Sequence, residues 1–225
     1  MRLHLGAGFE HFDFYNILGR ASNPDFHSLE EQMYIHYMVE GKYDNLNSTF
    51  FPTSGQYFSF RYSLHTDNFV QLEEGLPLNV LKLNGKKPIS LTNRLHLTPQ
   101  VSARYVMNDS VPQIYRNFVG GRNDGHYLPQ QIALQGSVGM EILKNMAATA
   151  DVMIHYRLRQ NNFLYANLNY TLHQEHLYPL SKGSSFWRGN LGFAFRSIAG
   201  PLRLELGYSA LSRKFHPFVS FGHFF

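Results

Sequence analysis

The sequence has no cysteine, one tryptophan in 225 residues and only 16% charged side chains. Without cysteine there is no disulfide scaffold, no thiolate zinc centre and no cysteine nucleophile. No apolar run approaches the ~18 residues that a membrane-spanning helix needs, which excludes a helical membrane protein. The opening Met1-Arg-Leu-His-Leu-Gly6 lacks an apolar signal core, so the chain is not expected to be a complete secreted precursor. A concentrated basic patch is missing too. The formal charge is +4, but nothing is denser than Lys86-Lys87 and the arginines come singly inside apolar alternations. Phosphate binding wants a basic face or stripe, so nucleic acid is not an expected partner.

What is present is aromatic and alternating. There are 19 Phe and 14 Tyr, about twice the 16 Asp and Glu. Period-2 patterning runs through most of the chain, and helical periodicity is nearly absent. In Leu164–Leu172 every second residue is Leu, Ala or Tyr, and the residues between are Tyr, Asn and Thr. Leu202–Ala210 repeats the pattern, with Arg203, Glu205, Gly207 and Ser209 on the polar side. Turn chemistry separates such runs at 51–55, Thr98-Pro99, 159–162 and 199–201, and longer mixed links fall at 10–31, 70–87, 108–145 and 174–185. Ten strands are expected: about 2–9, 32–46, 56–69, 88–96, 97–107, 146–158, 163–173, 186–198, 202–211 and 216–225. Nothing divides the chain, and 1–225 reads as one β domain.

Alternation alone fits a soluble sandwich, whose apolar face is the core, or a membrane barrel, whose apolar face meets lipid. Several features favour an antiparallel transmembrane β-barrel. Strands of 11 to 14 residues suit a tilted bilayer crossing of ~9–11 residues better than the ~5–6 usual in soluble sheets. The polar face carries arginines on strand after strand, as a wet lumen tolerates. Phe50, Phe51, Phe163, Phe186 and Trp187 stand at strand ends, where interfacial girdles lie. Short and long links alternate as periplasmic turns and external loops do.

Three motifs carry a family resemblance. Phe50-Phe-Pro-Thr-Ser-Gly-Gln-Tyr-Phe58, with Pro52 and Gly55, resembles a periplasmic turn of the bacterial surface antigen barrels, the barrel-assembly and two-partner-secretion superfamily. Asn117-Phe-Val-Gly-Gly-Arg-Asn-Asp-Gly-His-Tyr127 resembles that superfamily's lumen-inserted loop; Gly120, Gly121, Arg122, Gly125, His126 and Tyr127 are the residues implied. Gly200-Pro-Leu-Arg-Leu204 and the aromatic ending through Phe221 to Phe225 resemble the last hairpin and C-terminal assembly signal. The version here is most similar to the barrel that follows patatin-like phospholipases.

The resemblance implies a location in the bacterial outer membrane, contact with its lipid and lipopolysaccharide, and insertion by the barrel-assembly machinery. It implies a barrel that anchors or translocates an upstream passenger such as a patatin-like hydrolase. His126 stands where the family usually has Arg, with Arg122 four residues earlier; Asp151 and Arg157 are the lumenal partners expected for this loop. Family barrels have 16 strands, so ten imply the C-terminal part of a larger barrel or a closed small relative, and the part is the favoured reading.

Enzymatic chemistry is not expected of this chain. There is no Gly-x-Ser-x-Gly elbow, so a patatin active site would lie elsewhere. Twelve histidines are scattered without ligand spacing, and no metal or cofactor is expected. The alternative is a self-contained barrel hydrolase of omptin or outer-membrane phospholipase type, which would have to bring together residues such as His155, Asp151 and Ser184.

Overall fold

The computed structural model describes residues 1–12, 32–66, 77–108, 111–120, 130–133, 140–178, 183–198 and 200–222. Ten long strands form one antiparallel sheet in chain order: β1 (Arg2–Phe12), β2 (Gln32–Asp44), β3 (Tyr57–Thr66), β4 (Leu78–Lys86), β6 (Leu95–Met107), β10 (Met146–Arg159), β11 (Asn162–Gln174), β12 (Ser184–Ser197), β13 (Gly200–Ser209) and β14 (Lys214–Phe221). A two-residue strand, β5 (Ile89–Ser90), adds to β6. A second, small sheet joins β7 (Asn117–Gly120) to β8 (Gln131–Ile132) and β9 (Met140–Lys144). Among the described residues β1 and β14 are the sheet's edges. No helix here is long and apolar enough to cross a membrane.

Two expectations about the middle of the chain are corrected. Residues 78–86, placed in a long link, are a strand, and the expected strand at 88–96 is mostly turn. Thr98-Pro99 is not a turn: β6 runs straight through it, Pro99 opposite Val152 of β10. Proline is tolerated because its carbonyl, facing the other neighbour, accepts from Lys87 N at 3.1 Å in the gap between β4 and β5. The missing N–H therefore falls where the ladder is already interrupted. Ten long strands survive, and so does the placement of short links at one end.

The two faces have opposite chemistry. Leu3, Leu5, Val101 (56% exposed), Leu168 (57%), Leu191 (67%), Leu206 and Val219 stand out on the convex side. Facing the other way, buried polar groups line strand after strand: Ser59, Ser63, Thr98, Ser102, Arg104, Thr149, Asn169, Thr171, Arg188, Asn190 and Glu205. A soluble sheet of this kind would bury the first set and wet the second.

The sheet is strongly curved. Phe50, just before β3, lies under the guanidinium of Arg203 on β13 at 5.0 Å. Those strands are six ladder steps apart, about 29 Å along a flat sheet at ~4.8 Å per step. Lys86 on β4 and Arg203 and Glu205 on β13, wall residues five ladder steps apart, also border one cavity, so the sheet wraps around its polar face.

Candidate functional site

The enclosed space on the concave face is entered by a segment from each end. From the end of the short links comes the β2–β3 connection, 45–56. Its stem is a ladder: Asn45 N donates to Gln56 O at 3.1 Å and Asn47 N to Ser54 O at 3.3 Å. Asn47 Oδ1 accepts from Thr53 N at 3.0 Å and Ser54 N at 3.2 Å. Gly55 closes the turn at φ +91°, where a Cβ would stand 2.2 Å from the Asn45 carbonyl oxygen. Phe51 takes φ +49°, a conformation that a bulky residue keeps only when its surroundings hold it.

The surroundings are aromatic. The Phe51 ring lies 4.9 Å from Phe163, 5.0 Å from His155 and 5.1 Å from Tyr165. Phe50 packs at 4.5 Å on Phe51, and Arg196 Nη2 donates to its carbonyl at 3.0 Å. Phe50, Phe51 and Phe163 are therefore not girdle residues; they and Phe186 are buried on the concave side, and only Trp187 of the expected set is exposed.

From the opposite end comes 111–120 with the small sheet. Val119 and Ile132 pack on Ala147 and Phe186 of the wall. Arg104 of β6 donates to the Tyr115 carbonyl at 2.9 Å and to Asn117 Oδ1 at 2.5 Å. Asn117 Nδ2 reaches the Arg104 and Asn145 carbonyls at 3.1 and 2.7 Å. The Tyr115 hydroxyl donates to Glu10 Oε2 at 2.6 Å, a contact across 105 residues. Burial, and then the hydrogen bond to Glu10, push this phenol above its ordinary range, so it remains a donor. Above the wall, Lys144 Nζ donates to Glu175 Oε1 at 2.7 Å. Burial alone would push the Glu175 carboxyl up; the bond and charge of Lys144, with Arg116, hold it below its ordinary value.

Between the two insertions lies a polar cavity of about 200 Å³, bordered by Thr49 and Phe51 from one and Ala133 from the other, with Lys86, Asp151 and Glu205 on the wall. Glu205 is fixed by the Tyr165 hydroxyl and by Asn190 Nδ2 at 3.0 Å.

A curved antiparallel wall, apolar outside and polar inside, with a chain segment folded into it from each end, is what the family comparison accounts for. The sequence profile of the OMP85 superfamily matches residues 1–225. The chain belongs to the OMP85 superfamily. No curated protein matches it at significant similarity. As an OMP85 protein it is an outer-membrane β-barrel in kind, its convex face the lipid face and its concave face the lumen.

The expected residues fall unevenly on this barrel wall. Gly120 ends β7 at φ +144°, its carbonyl accepting from Gln131 Nε2 at 2.8 Å. Gly121, Arg122, Gly125, His126 and Tyr127 lie outside the described residues, and so does their meeting with Asp151. Asp151 accepts from Asn169 Nδ2 at 2.6 Å. Arg157 points to the turn end, donating to the Asn93 carbonyl at 2.8 Å. Pro52 is buried within the inserted turn, Phe221 is exposed on the lipid face, and Phe225 lies outside the described residues.

Of the lumenal anchors, sequence reasoning reaches Arg104 only as one of the polar-face arginines and Asn117 only as the head of the loop motif, and it does not reach Glu10 or Tyr115. Glu10 and Tyr115 are 105 residues apart, and although Tyr115 and Asn117 lie only 11 and 13 residues from Arg104, a lumenal Arg on an alternating strand looks like any other.

The hydrolase alternative gains nothing from this geometry. Ser184 is level with His173 and so with Ala147, eight residues along β10 from His155. That is about 27 Å at ~3.4 Å per residue, far beyond a hydrogen bond. Ser90 Oγ does lie 2.9 Å from His96 Nδ1, and the His96 ring stacks on His155 at 4.8 Å. But the other His96 nitrogen and both His155 nitrogens have no hydrogen-bond partner among the described residues, so no carboxylate orients a base there.

Proposed function

We propose that this OMP85 wall anchors or translocates a passenger domain of the patatin-like hydrolase type, with the lumen closed at rest by the two insertions. The observation that carries the reading is the pair of anchors: Arg104 and Glu10 hold the 111–120 segment, and Arg196 with the Phe51 cluster holds 45–56. Among the described residues the space directly between them is a polar cavity of about 200 Å³, small beside a polypeptide in transit. Translocation then requires one insertion to leave. The 45–56 segment, joined to short turns, is the periplasmic one in this reading, and 111–120 enters from outside.

Among the described residues β1 and β14 have no neighbour on their outer edges, which supports completion of the wall by further strands. A lipid-exposed sheet edge would leave backbone donors and acceptors without partners. The passenger and the additional strands predict a native product in isolated outer membranes well above 26.0 kDa. A product of that mass alone would contradict the passenger reading.

Sidedness has a clean test, because the chain has no cysteine of its own. In intact cells, an impermeant maleimide should label Ser212→Cys in the β13–β14 turn and spare Asn161→Cys in the β10–β11 turn. Labelling of Asn161→Cys alone would invert the orientation and the assignment of both insertions.

A further inference from the structure

Three adjacent strands present Glu10 (β1), His36 (β2) and His65 (β3) to one another from the concave face. His36 Nδ1 lies 3.3 Å from Glu10 Oε1, and His65 Nδ1 lies 3.7 Å from Glu10 Oε2. Neither nitrogen has a hydrogen-bond partner among the described residues, although both are buried. The three ligand atoms lie within 4.8 Å of one another. Two imidazole nitrogens and a carboxylate converging without hydrogen-bonding geometry leave a space that a cation would satisfy.

We propose that Glu10, His36 and His65 bind one divalent transition-metal ion of the zinc type. The donor set decides the class. Two imidazoles and one carboxylate suit zinc, cobalt or nickel; calcium and magnesium prefer all-oxygen cages, and copper(I) prefers sulfur. Ligands at ~2.0–2.1 Å from a tetrahedral zinc ion stand about 3.3 Å apart. The Glu10–His36 pair already has that separation, and His65 needs a small side-chain adjustment.

The neighbourhood is arranged for it. A Cβ on Gly8 would sit 2.3 Å from His36 Cε1, so glycine is what lets the imidazole lie flat across β1. Tyr115 donates to the same carboxylate, as ligating carboxylates require to be oriented, and its ring packs at 4.6 Å on His65. The site opens onto a lumenal cavity of about 690 Å³. The cations facing it are Arg61, Lys82 and Arg104. Arg61 is paired with Glu40 at 2.6 Å, which offsets its charge, and Arg104 is held by Nη1 on the Tyr115 carbonyl and Asn117 Oδ1. A bound ion would tie three strands of the wall to the inserted 111–120 segment through Tyr115.

The test is cobalt(II) titration of the purified full-length protein, stripped with chelator and held in detergent. Expected are visible d–d bands saturating at one equivalent per chain, displaced by zinc, and a zinc-dependent rise in the temperature at which the folded band is lost on semi-native gels. His65→Gln and Glu10→Gln should each weaken binding at least tenfold. Tyr115→Phe should weaken it about tenfold, at the lower end for loss of an outer hydrogen bond to a ligand. His4→Gln, outside the cluster, should change nothing. Folded wild-type protein with no saturable band would overturn the proposal, whatever the variants do. So would a band that survives intact in the His36→Gln/His65→Gln double variant.

Discussion

The two insertions close the same lumen with different chemistry. The 45–56 segment is held by rings: Phe50 and Phe51 against Phe163 and Tyr165, with the Arg196 and Arg203 guanidiniums over the Phe50 ring. The 111–120 segment is held by hydrogen bonds to charged groups, Arg104 to Tyr115 and Asn117, and Tyr115 to Glu10. Apolar packing is nearly indifferent to pH and salt. A charge-assisted network is stronger per contact but can be released by changing one proton or one partner. The aromatic segment is suited to be the fixed closure, and the polar one the closure that moves.

Breaking the aromatic side should cost most. Phe51→Ala removes the ring that joins four neighbouring rings and should destabilise the folded barrel by about 3 kcal/mol, the cost typical of a buried Phe. The loss should be similar at low and high salt, read as urea-dependent loss of the folded band. Arg104→Met comes next, at about 2–3 kcal/mol, because the Tyr115 carbonyl and Asn117 Oδ1 lose a charged donor inside the wall. Here proteolysis at 111–120 should accelerate before the barrel itself unfolds; unchanged digestion would remove Arg104 from the anchoring role. Gly55→Ala should cost about 1–3 kcal/mol through strain at φ +91° and the collision with Asn45. Its effect should be confined to the turn-end closure, and equal loosening of 111–120 would mean that the two insertions are coupled.

The smallest effect belongs to Glu175. Its carboxyl is held below the ordinary value in the folded state, so its contribution is complete above the unfolded pKa of ~4.3 and is lost as pH falls through the folded value. With Glu175 and Lys144 each 36% exposed, solvent screening reduces this to a few tenths of a kcal/mol. Amide exchange in 140–145 should be faster at pH 3 than at pH 6 after correction for intrinsic rates. Glu175→Gln should remove that difference, and its persistence would assign the pH response to another group.

How far the sequence discloses this arrangement depends on which solvent each face meets. From β10 to β14 the outside is lipid and the inside polar, and alternation reads directly as strands. In β4 the alternation breaks. Leu78 and Val80 are on the concave face, where they are buried against Val106, Val111 and Tyr115. Asn79 on the other face receives the Tyr62 hydroxyl at 2.5 Å. The inserted segment makes that part of the lumen a dry core, which inverts the pattern and disguises the strand as a link. Pro99 misleads for the opposite reason: it is a turn residue in isolation, and only the gap between β4 and β5 makes it harmless. Phe50 and Phe51 read as girdle aromatics because a ring beside a turn has the same spelling whether it faces lipid or lumen. Contacts such as Glu10 with Tyr115 are set by closure of the whole wall, and no local pattern announces them.

The assignment of faces is the claim on which everything else rests, and the single tryptophan makes it measurable. Trp187 is exposed on the convex side and Phe51 is buried on the concave side. In vesicles containing acyl-chain-brominated lipid, fluorescence of the wild-type protein should be strongly quenched. The Trp187→Phe/Phe51→Trp variant, folded in the same vesicles, should be quenched little or not at all. Strong quenching of the second with none of the first would mean that the faces are reversed, and the inserted turn would then be a lipid-facing girdle after all.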